Sequence, residues 1–263
     1  MSDDVRIETP PVGSEEISLP SKGKFYGGAV PDGKVMIRPW GTDEEKLLLT
    51  ARKNREDVVD RVLNACLLTR TQPLDQYLVG DKAFMLLALR CITLWPEYDF
   101  PMQCQKCGKT SKHKVDLKRD LKVKELTDDD AEQFKVKLPV CGKELTLRRL
   151  KGTDETAIRK FSKQRQSINA SDVDNGDPSY LYTLALTIVA IDGDAVDHGK
   201  AQKFLERPPL HGRDSLLLQQ AIDANDCGVD LSMSVACPAC GFETVAEVPL
   251  TDEFFRPRSH PGG

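Results

Sequence analysis

The sequence predicts an α+β fold built by tandem duplication of one unit, with short antiparallel strands beside packed helices. Three observations support this prediction. Hairpin-like segments alternate with apolar helical segments, short matches recur in the same order in both halves, and each half ends in a Cys-x-x-Cys-Gly motif. Two similar units can pack about a pseudo-twofold axis, so we expect the two motifs to meet.

The repeat begins with matching Leu-Pro-x-x-Gly-Lys segments at residues 19–24 and 138–143. A strand-like segment ending in Arg follows each of them. A Gly-Thr-Asp-Glu sequence then follows each strand, at residues 41–44 and 152–155. Each match is short, but their common order favours duplication over chance.

Asp81 and Asp214 also hold equivalent places in the repeat. Each lies ahead of an apolar helix, and the same number of residues separates each from the next Cys-x-x-Cys motif. Aspartate near a helix start is typical of a cap, because its carboxylate accepts hydrogen bonds from free backbone N–H groups. We therefore predict that both residues are caps.

The repeat divides the chain into five parts. Residues 1–17 contain prolines, glycine and acidic residues without an apolar period, which predicts a flexible arm. The two units are residues 18–117 and 138–250, a connector at residues 118–137 joins them, and residues 251–263 form a C-terminal tail.

Local signals predict the elements within each unit. The turn at residues 31–33 and the strand-like segment after it predict a hairpin. Thr42 with Glu45 is spaced as a capping box for the next helix. In the second unit, an apolar helix is predicted from Pro178 to Ile191, closed by the following Asp-Gly pair.

The clearest chemical signal is the pair of Cys-x-x-Cys-Gly motifs, the first knuckle at residues 104–108 and the second knuckle at residues 237–241. Such a turn places two sulfurs on one side of a bend, and four thiolates fill the shell of a structural zinc without leaving a position for water. We therefore predict one structural zinc per chain, with ligands Cys104, Cys107, Cys237 and Cys240. Reduced thiol turns without a metal are the alternative, because the two knuckles lie unusually far apart in the sequence.

Composition limits the location of the chain and its partners. The sequence shows no signal peptide and no apolar run long enough for a membrane span, which predicts a cytoplasmic protein without a membrane partner. The remaining cysteines are scattered, as in a reducing compartment. A formal net charge of −4 and an isoelectric point near 5.7 argue against general nucleic-acid binding.

Positive charge is nevertheless concentrated between Lys106 and Lys124. One interpretation is a solvated hairpin beside the first knuckle. The other is a docking face for an acidic partner or for nucleic acid. The candidate contact residues on this face are Lys109, Lys112 and Lys114.

The sequence contains no enzyme motif that we recognise. It has no phosphate loop, no dinucleotide fingerprint, no Gly-x-Ser-x-Gly and no His-Glu-x-x-His. Its four histidines are widely spread, and none has a carboxylate at a suggestive spacing. We therefore predict a protein that acts by binding.

Several of these segments resemble the T4-type bacteriophage baseplate hub assembly proteins. The resemblance rests on residues 18–26, on Arg38-Pro39, on the two knuckles and on the closing Phe-Phe-Arg-Pro at residues 254–257, and it covers residues 17–257. It implies a non-enzymatic phage protein that helps to build the central hub of a contractile tail, as a component or as a factor that leaves. Its partners would be other baseplate or hub proteins, first in the host cytoplasm and then in the virion baseplate.

Phe254, Phe255 and Arg256 are further candidate contact residues, because aromatic residues and arginine are enriched at interface anchors. The alternative is that the two rings fold back onto the core. Two other function classes stay open. One is a tail assembly chaperone for the tape-measure protein, and the other is a cytoplasmic zinc-ribbon protein that binds nucleic acid.

Overall fold

The computed structural model describes residues 10–50, 55–168, 179–250 and 252–255. The helices are α1 Thr42–Thr50, α2 Arg55–Cys66, α3 Val79–Thr93, α4 Gly152–Ile168, α5 Ser179–Thr187, α6 His198–Glu206, α7 Gly212–Asn225 and α8 Asp252–Phe255. The strands are β1 Glu15–Ser18, β2 Lys34–Ile37, β3 Glu97–Gln103, β4 Thr110–Asp116, β5 Lys122–Lys124, β6 Gln133–Lys137, β7 Glu144–Arg148, β8 Ile188–Ile191, β9 Asp194–Ala195, β10 Gly228–Asp230, β11 Ser232–Ala236 and β12 Glu243–Glu247. The mixture of helices and short strands confirms the predicted α+β class.

All strand pairs in the described part of the chain are antiparallel. β1 pairs with β2, β3 with β4, β5 with β10, and β11 with β12, and each pair forms a two-stranded sheet. β6, β7, β8 and β9 form one four-stranded sheet in that order. The duplication and its pseudo-twofold axis stay predictions.

The predicted arm and connector both contain strands. β1 lies at the end of the arm, and its Ile17 is buried against the core. β5 and β6 lie within the connector. Because β5 pairs with β10 and β6 pairs with β7, the connector is bonded to the second half at two places.

The apolar helix predicted to reach Ile191 ends earlier, at Thr187. The next four residues, Ile-Val-Ala-Ile, form β8 and pair with β7. Asp192 and Gly193 then turn the chain into β9 with φ values of 52° and 89°. The prediction was wrong here because β-branched residues before an Asp-Gly pair favour a hairpin over a helix end.

The predicted capping box at Thr42 and Glu45 is also wrong in detail. The backbone N–H of Gly41 donates to Glu44 Oε2 over 2.8 Å, so the neighbouring glutamate makes the capping bond. Arg38 binds the same carboxylate at 2.8 Å. The arginine fixes the side chain of Glu44, which explains why this residue is used.

The buried apolar side chains form two cores. The first core contains the buried residues between Ile17 and Leu126, together with Cys227, Val248, Phe254 and Phe255. The second core lies entirely between Val136 and Leu218. The C-terminal part of the chain therefore crosses back and packs on the first half.

A close backbone approach marks this crossing. A Cβ atom at Gly80 of α3 would lie 1.7 Å from the carbonyl oxygen of Cys227, just before β10. Gly228 in turn has a φ of +131°. Only glycine at both positions lets α3 and β10 lie this close. Among the described residues, no helix is both long enough and apolar enough to cross a membrane.

Candidate metal centre

Each knuckle is the turn of a two-stranded hairpin. In the first knuckle, between β3 and β4, Cys104 N donates to Lys109 O over 2.9 Å and Gly108 N donates to Cys104 O over 2.9 Å. In the second, between β11 and β12, Cys237 N donates to Phe242 O over 2.9 Å and Gly241 N donates to Cys237 O over 2.8 Å. The two knuckles thus share one hydrogen-bond pattern.

The glycine after each knuckle is needed for its backbone conformation. Gly108 and Gly241 have φ values of 71° and 68°. No atom lies within 4 Å of a Cβ built on either residue. The requirement for glycine is therefore conformational, because L-residues with a side chain rarely adopt this region.

The fold brings the four sulfurs together. All four Sγ atoms lie within 4.8 Å of one another. The sulfurs of Cys104 and Cys240 are 3.7 Å apart, and those of Cys107 and Cys237 are 3.8 Å apart. Sulfurs at about 2.3 Å around a tetrahedral zinc would be about 3.8 Å apart, whereas disulfide sulfurs lie about 2.05 Å apart. The spacing therefore suits a metal ion between four thiolates.

The sulfurs differ in their acidity. The backbone N–H of Cys107 points at the Cys104 sulfur and lowers the pKa of this thiol to about 6, although burial opposes the shift. The backbone N–H of Phe242 also lowers the pKa of Cys240, but burial and the three neighbouring cysteines outweigh it and raise that pKa to about 11. Thiolates this close together therefore disfavour one another's ionisation. A bound divalent cation would stabilise the thiolate form of all four.

Both knuckle hairpins rest on the first core. Tyr98 and Phe100 of β3 are buried in it, and Met233 of β11 packs against it. Lys106 of the first knuckle lies with Nζ 6.0 Å from the ring centroid of Phe242, which directly follows the second knuckle. A metal at this site would tie the chain after α7 to the first half.

The basic residues singled out from the sequence lie on the first of these hairpins. Lys109, Lys112 and Lys114 are exposed. In the described part of the chain, no carboxylate is seen to pair with any of these three ammonium groups. They are therefore open to a partner, as the docking interpretation requires.

Phe254 and Phe255 are buried, whereas a role in partner contact requires exposed side chains. Phe254 is 0% exposed and Phe255 is 6% exposed, and both belong to the first core. The Phe254 ring packs edge-on against Tyr98 at 5.3 Å. Both rings are packed in the core, which corrects the expectation that they are surface anchors. Arg256 lies outside the described residues.

Sequence reasoning missed Arg90, which holds this end of the chain. Its guanidinium is fully buried and donates to the carbonyl oxygens of Phe254, Trp95 and Glu97. It also lies 5.4 Å from the Phe254 ring centroid. Burial lowers the pKa of Arg90. The available signal was an arginine within the otherwise apolar second half of α3.

Asp81 and Asp214 are not helix caps. Asp81 accepts hydrogen bonds from Ser21 N at 2.9 Å, from Ser21 Oγ, and from Tyr26 OH at 2.5 Å. Asp214 accepts from the backbone N–H groups of Val140 and Cys141, both at 2.9 Å. Both carboxylates therefore point away from their own helix and hold the Leu-Pro turn of the same half.

A sequence model of the family described as T4 bacteriophage base plate protein matches residues 15–174. This range is more than half of the chain. The chain belongs to this family. In this baseplate protein the matched range runs from β1 to just beyond α4, so it includes the first knuckle and ends before the second. No curated protein and no solved structure matches the chain.

Family membership supports a structural role in the phage tail baseplate and interaction with other baseplate proteins. It favours binding over catalysis. The four close cysteines could hold a metal ion. Because Cys237 and Cys240 lie outside the matched range, the metal site rests on the geometry of this chain.

Proposed function

We propose that this protein acts by binding in the assembly of the central baseplate hub, either as a hub component or as an assembly factor. The match to the baseplate family over residues 15–174 is the observation that carries the proposal. The Leu-Pro-Ser-Lys-Gly segment and its contact with Asp81 lie within this range. Assembly would take place in the host cytoplasm, and a component would remain in the virion baseplate.

The proposal includes one structural zinc per chain, held by Cys104, Cys107, Cys237 and Cys240. The support is a set of four sulfurs with separations close to those of a tetrahedral zinc site. With all four positions filled by protein, the ion would lock two hairpins together and present a rigid surface to hub proteins.

A clean deletion of the gene in the phage tests the function. The proposal predicts that the deletion phage stops before complete contractile tails form and that the gene supplied in trans restores them. Complete tails in the deletion phage would contradict it. Mass spectrometry of purified virions then separates the two forms, because a component is present in finished particles and an assembly factor is absent.

A chaperone for the tape-measure protein is the second candidate. A cavity of about 570 Å³ lies between α2, α3, α4 and the C-terminal segment. Its apolar lining residues include Val59, Leu63, Leu86, Leu250 and Phe255. Asp60, Lys82, Glu155 and Arg159 also line the cavity, so it suits an amphipathic helix that makes both apolar and charged contacts. Co-purification of the tape-measure protein from infected cells, with loss of binding on Leu86→Glu, would favour this candidate.

The third class, a ribbon that binds nucleic acid, has less support. Acidic residues Glu243 and Glu247 lie exposed on the second knuckle hairpin. A chain with a net charge of −4 and both signs at this end lacks the continuous basic surface that phosphate binding needs.

A further inference from the structure

Helices α3 and α4 form an interface between the two halves of the chain. Val79 N donates to Leu150 O over 3.0 Å. Gly152 N donates to Tyr77 O, also over 3.0 Å. The two helices then run on along a shared cavity, which side chains from both of them line. The start of α3 is thus bonded directly to the start of α4.

Helix α7 corresponds to α3, because the third residue of each is a buried aspartate that binds the Leu-Pro turn of its own half. With these aspartates aligned, Gly212 takes the place of Val79 and Leu210 takes the place of Tyr77. Among the described residues, no hydrogen bond to Gly212 N or to Leu210 O is seen. On the next turn of α7, Leu216 is 54% exposed. The surface of α7 that matches the interface surface of α3 is therefore uncovered.

Helix α1 corresponds to α4, because the third residue of each is a carboxylate bound by an arginine six residues earlier. With these carboxylates aligned, Trp40 takes the place of Leu150 and Thr42 takes the place of Gly152. In the part of the chain that the structure describes, Trp40 O and Thr42 N have no hydrogen-bond partner. Further along α1, Leu49 is 53% exposed. The matching surface of α1 is therefore uncovered as well.

The two exposed leucines take the places of residues that line one cavity. Ala83 of α3 and Arg159 of α4 both line the cavity between these helices. Leu216 takes the place of Ala83, and Leu49 takes the place of Arg159. The α7 and α1 surfaces therefore carry large apolar side chains where the interface within the chain is small or charged. Brought together in the same geometry, the two leucines would bury each other.

The correspondence points to self-association: we propose that α7 of one copy docks on α1 of a second copy, as α3 docks on α4 within one chain. Leu216 and Leu49 then bury each other, and the backbone groups at the starts of α7 and α1 pair as those of α3 and α4 do. The interface within the chain carries this inference, because it shows the docking geometry between corresponding helices. The contact is heterologous, since different surfaces of the two copies meet.

One difference between the two surfaces bears on the fit. A Cβ atom at Gly152 would lie 2.8 Å from the Cα atom of Asp75, in the 3-10 turn Leu74–Gln76 that precedes α3. Thr42, in the place of Gly152, carries a Cβ atom. Residues 207–211 precede α7, are all described and contain no 3-10 turn. The segment that requires glycine at residue 152 is therefore not repeated before α7.

Blocking one surface at a time tests the proposal on purified full-length protein by sedimentation over a concentration series. The wild-type protein should self-associate. Leu49→Glu blocks the α1 surface and Leu216→Glu blocks the α7 surface, and each should weaken association at least about tenfold, because the contact would bury an unpaired carboxylate. Mixing the two variants should give a dimer that grows no further, since each keeps the surface that the other has lost.

A matched control and milder variants keep the test decisive. Val245→Glu places the same carboxylate on an apolar residue of β12 that is 72% exposed, and it should associate like the wild type. Leu49→Ala and Leu216→Ala should each weaken association, and they replace a glutamate variant that does not fold. A monomeric wild type, equal loss in the Val245→Glu control, or no dimer on mixing folded variants would overturn the proposal. The assay needs no phage, so its failure leaves the hub assignment untouched.

Discussion

Asp81 and Asp214 hold matching positions, the third residue of α3 and of α7, yet their partners differ. Both side chains are fully buried. Asp81 is bound by two hydroxyls and one backbone N–H, whereas Asp214 is bound by two backbone N–H groups and the Cys141 thiol. Two buried aspartates at the same position of their helices thus use donors of different chemistry.

The difference reverses the direction of the pKa shift. Burial raises the pKa of Asp81, and the hydrogen bonds from Ser21 and Tyr26 offset it only in part. Burial also acts to raise the pKa of Asp214, but the N–H groups of Val140 and Cys141 outweigh it and lower that pKa. Main-chain donors cannot turn away, so they favour the charged carboxylate, while hydroxyls also accommodate the neutral acid.

The different lengths of the two loops explain why Asp81 and Asp214 have different donors. The first half has a long segment between Leu19 and Gly33, which brings Tyr26 over α3, where its hydroxyl also accepts a hydrogen bond from Leu78 N at 2.9 Å. In the second half, Leu138 N already bonds to Lys143 O. This short turn offers two backbone N–H groups and the Cys141 thiol in place of hydroxyls.

Unlike the two aspartates, the two knuckles should respond alike to substitution. Loss of a cysteine from either knuckle should lower the free energy of unfolding more than any other change predicted below. Cys237→Ser is expected to lower the free energy of unfolding by at least about 5 kcal/mol, because structural zinc contributes binding energy of order 10 kcal/mol to folding. Cys107→Ser should cause a similar loss. Urea unfolding with metal analysis checks this, with Ser234→Ala, an exposed residue of β11 outside the knuckles, as control. Unequal effects of the two knuckles would argue against a shared ion.

The first core should depend on the C-terminal segment. Phe254→Ala is expected to cost about 3–5 kcal/mol in unfolding free energy, because it removes a fully buried ring from contact with Tyr98 and Arg90. Val245→Ala removes a 72% exposed side chain and serves as control, with little change expected. A Phe254→Ala protein as stable as the wild type would contradict the core role of this ring and would favour a role in partner contact.

Amide replacement should distinguish the two aspartates. Asp81→Asn is expected to cost less than about 1 kcal/mol, because Ser21 and Tyr26 hydroxyls can rotate to accept from the new NH₂ group. Asp214→Asn should cost more, since the NH₂ group would face a fixed backbone N–H. Chemical unfolding of both variants at pH 7 makes the comparison, and the reverse order would show that donor type does not decide.

The pH dependence should have opposite signs at the two sites. Asp214 has a lowered folded pKa, so its stabilisation is present above the unfolded value near 3.9 and is lost as pH falls below it. Asp81 has a raised folded pKa, so wild-type stability relative to Asp81→Asn should fall as pH rises above about 4. Unfolding curves between about pH 3 and pH 7 test this, and parallel trends would refute the assignment.

Sequence reasoning succeeded where the signal is local. The Cys-x-x-Cys-Gly spacing defines each knuckle by itself, and the four sulfurs do converge. It failed at Asp81 and Asp214. An aspartate near a helix start predicts a cap, and the sequence does not show which distant segment packs over the carboxylate. It also missed Arg90, because one of its carbonyl partners, Phe254, lies 164 residues further along the chain.

The Gly-Thr-Asp-Glu match shows a subtler limit. By sequence, Asp154 would correspond to Asp43. In the structure Asp154 corresponds to Glu44, since Arg148 binds Asp154 as Arg38 binds Glu44, and Lys151 N donates to Asp154 over 2.8 Å as Gly41 N donates to Glu44. An alignment by sequence and an alignment by contacts therefore differ by one residue. The reason is that helix capping depends on position along the turn and tolerates either aspartate or glutamate.

X-ray absorption at the zinc edge, on protein purified without chelator and analysed for metal content, tests the account most directly. We predict about one zinc per chain with four sulfur ligands at about 2.3 Å and no oxygen ligand. Protein without stoichiometric metal, or zinc bound by two sulfurs with nitrogen or oxygen in the other positions, would contradict the claim that the two knuckles share one ion.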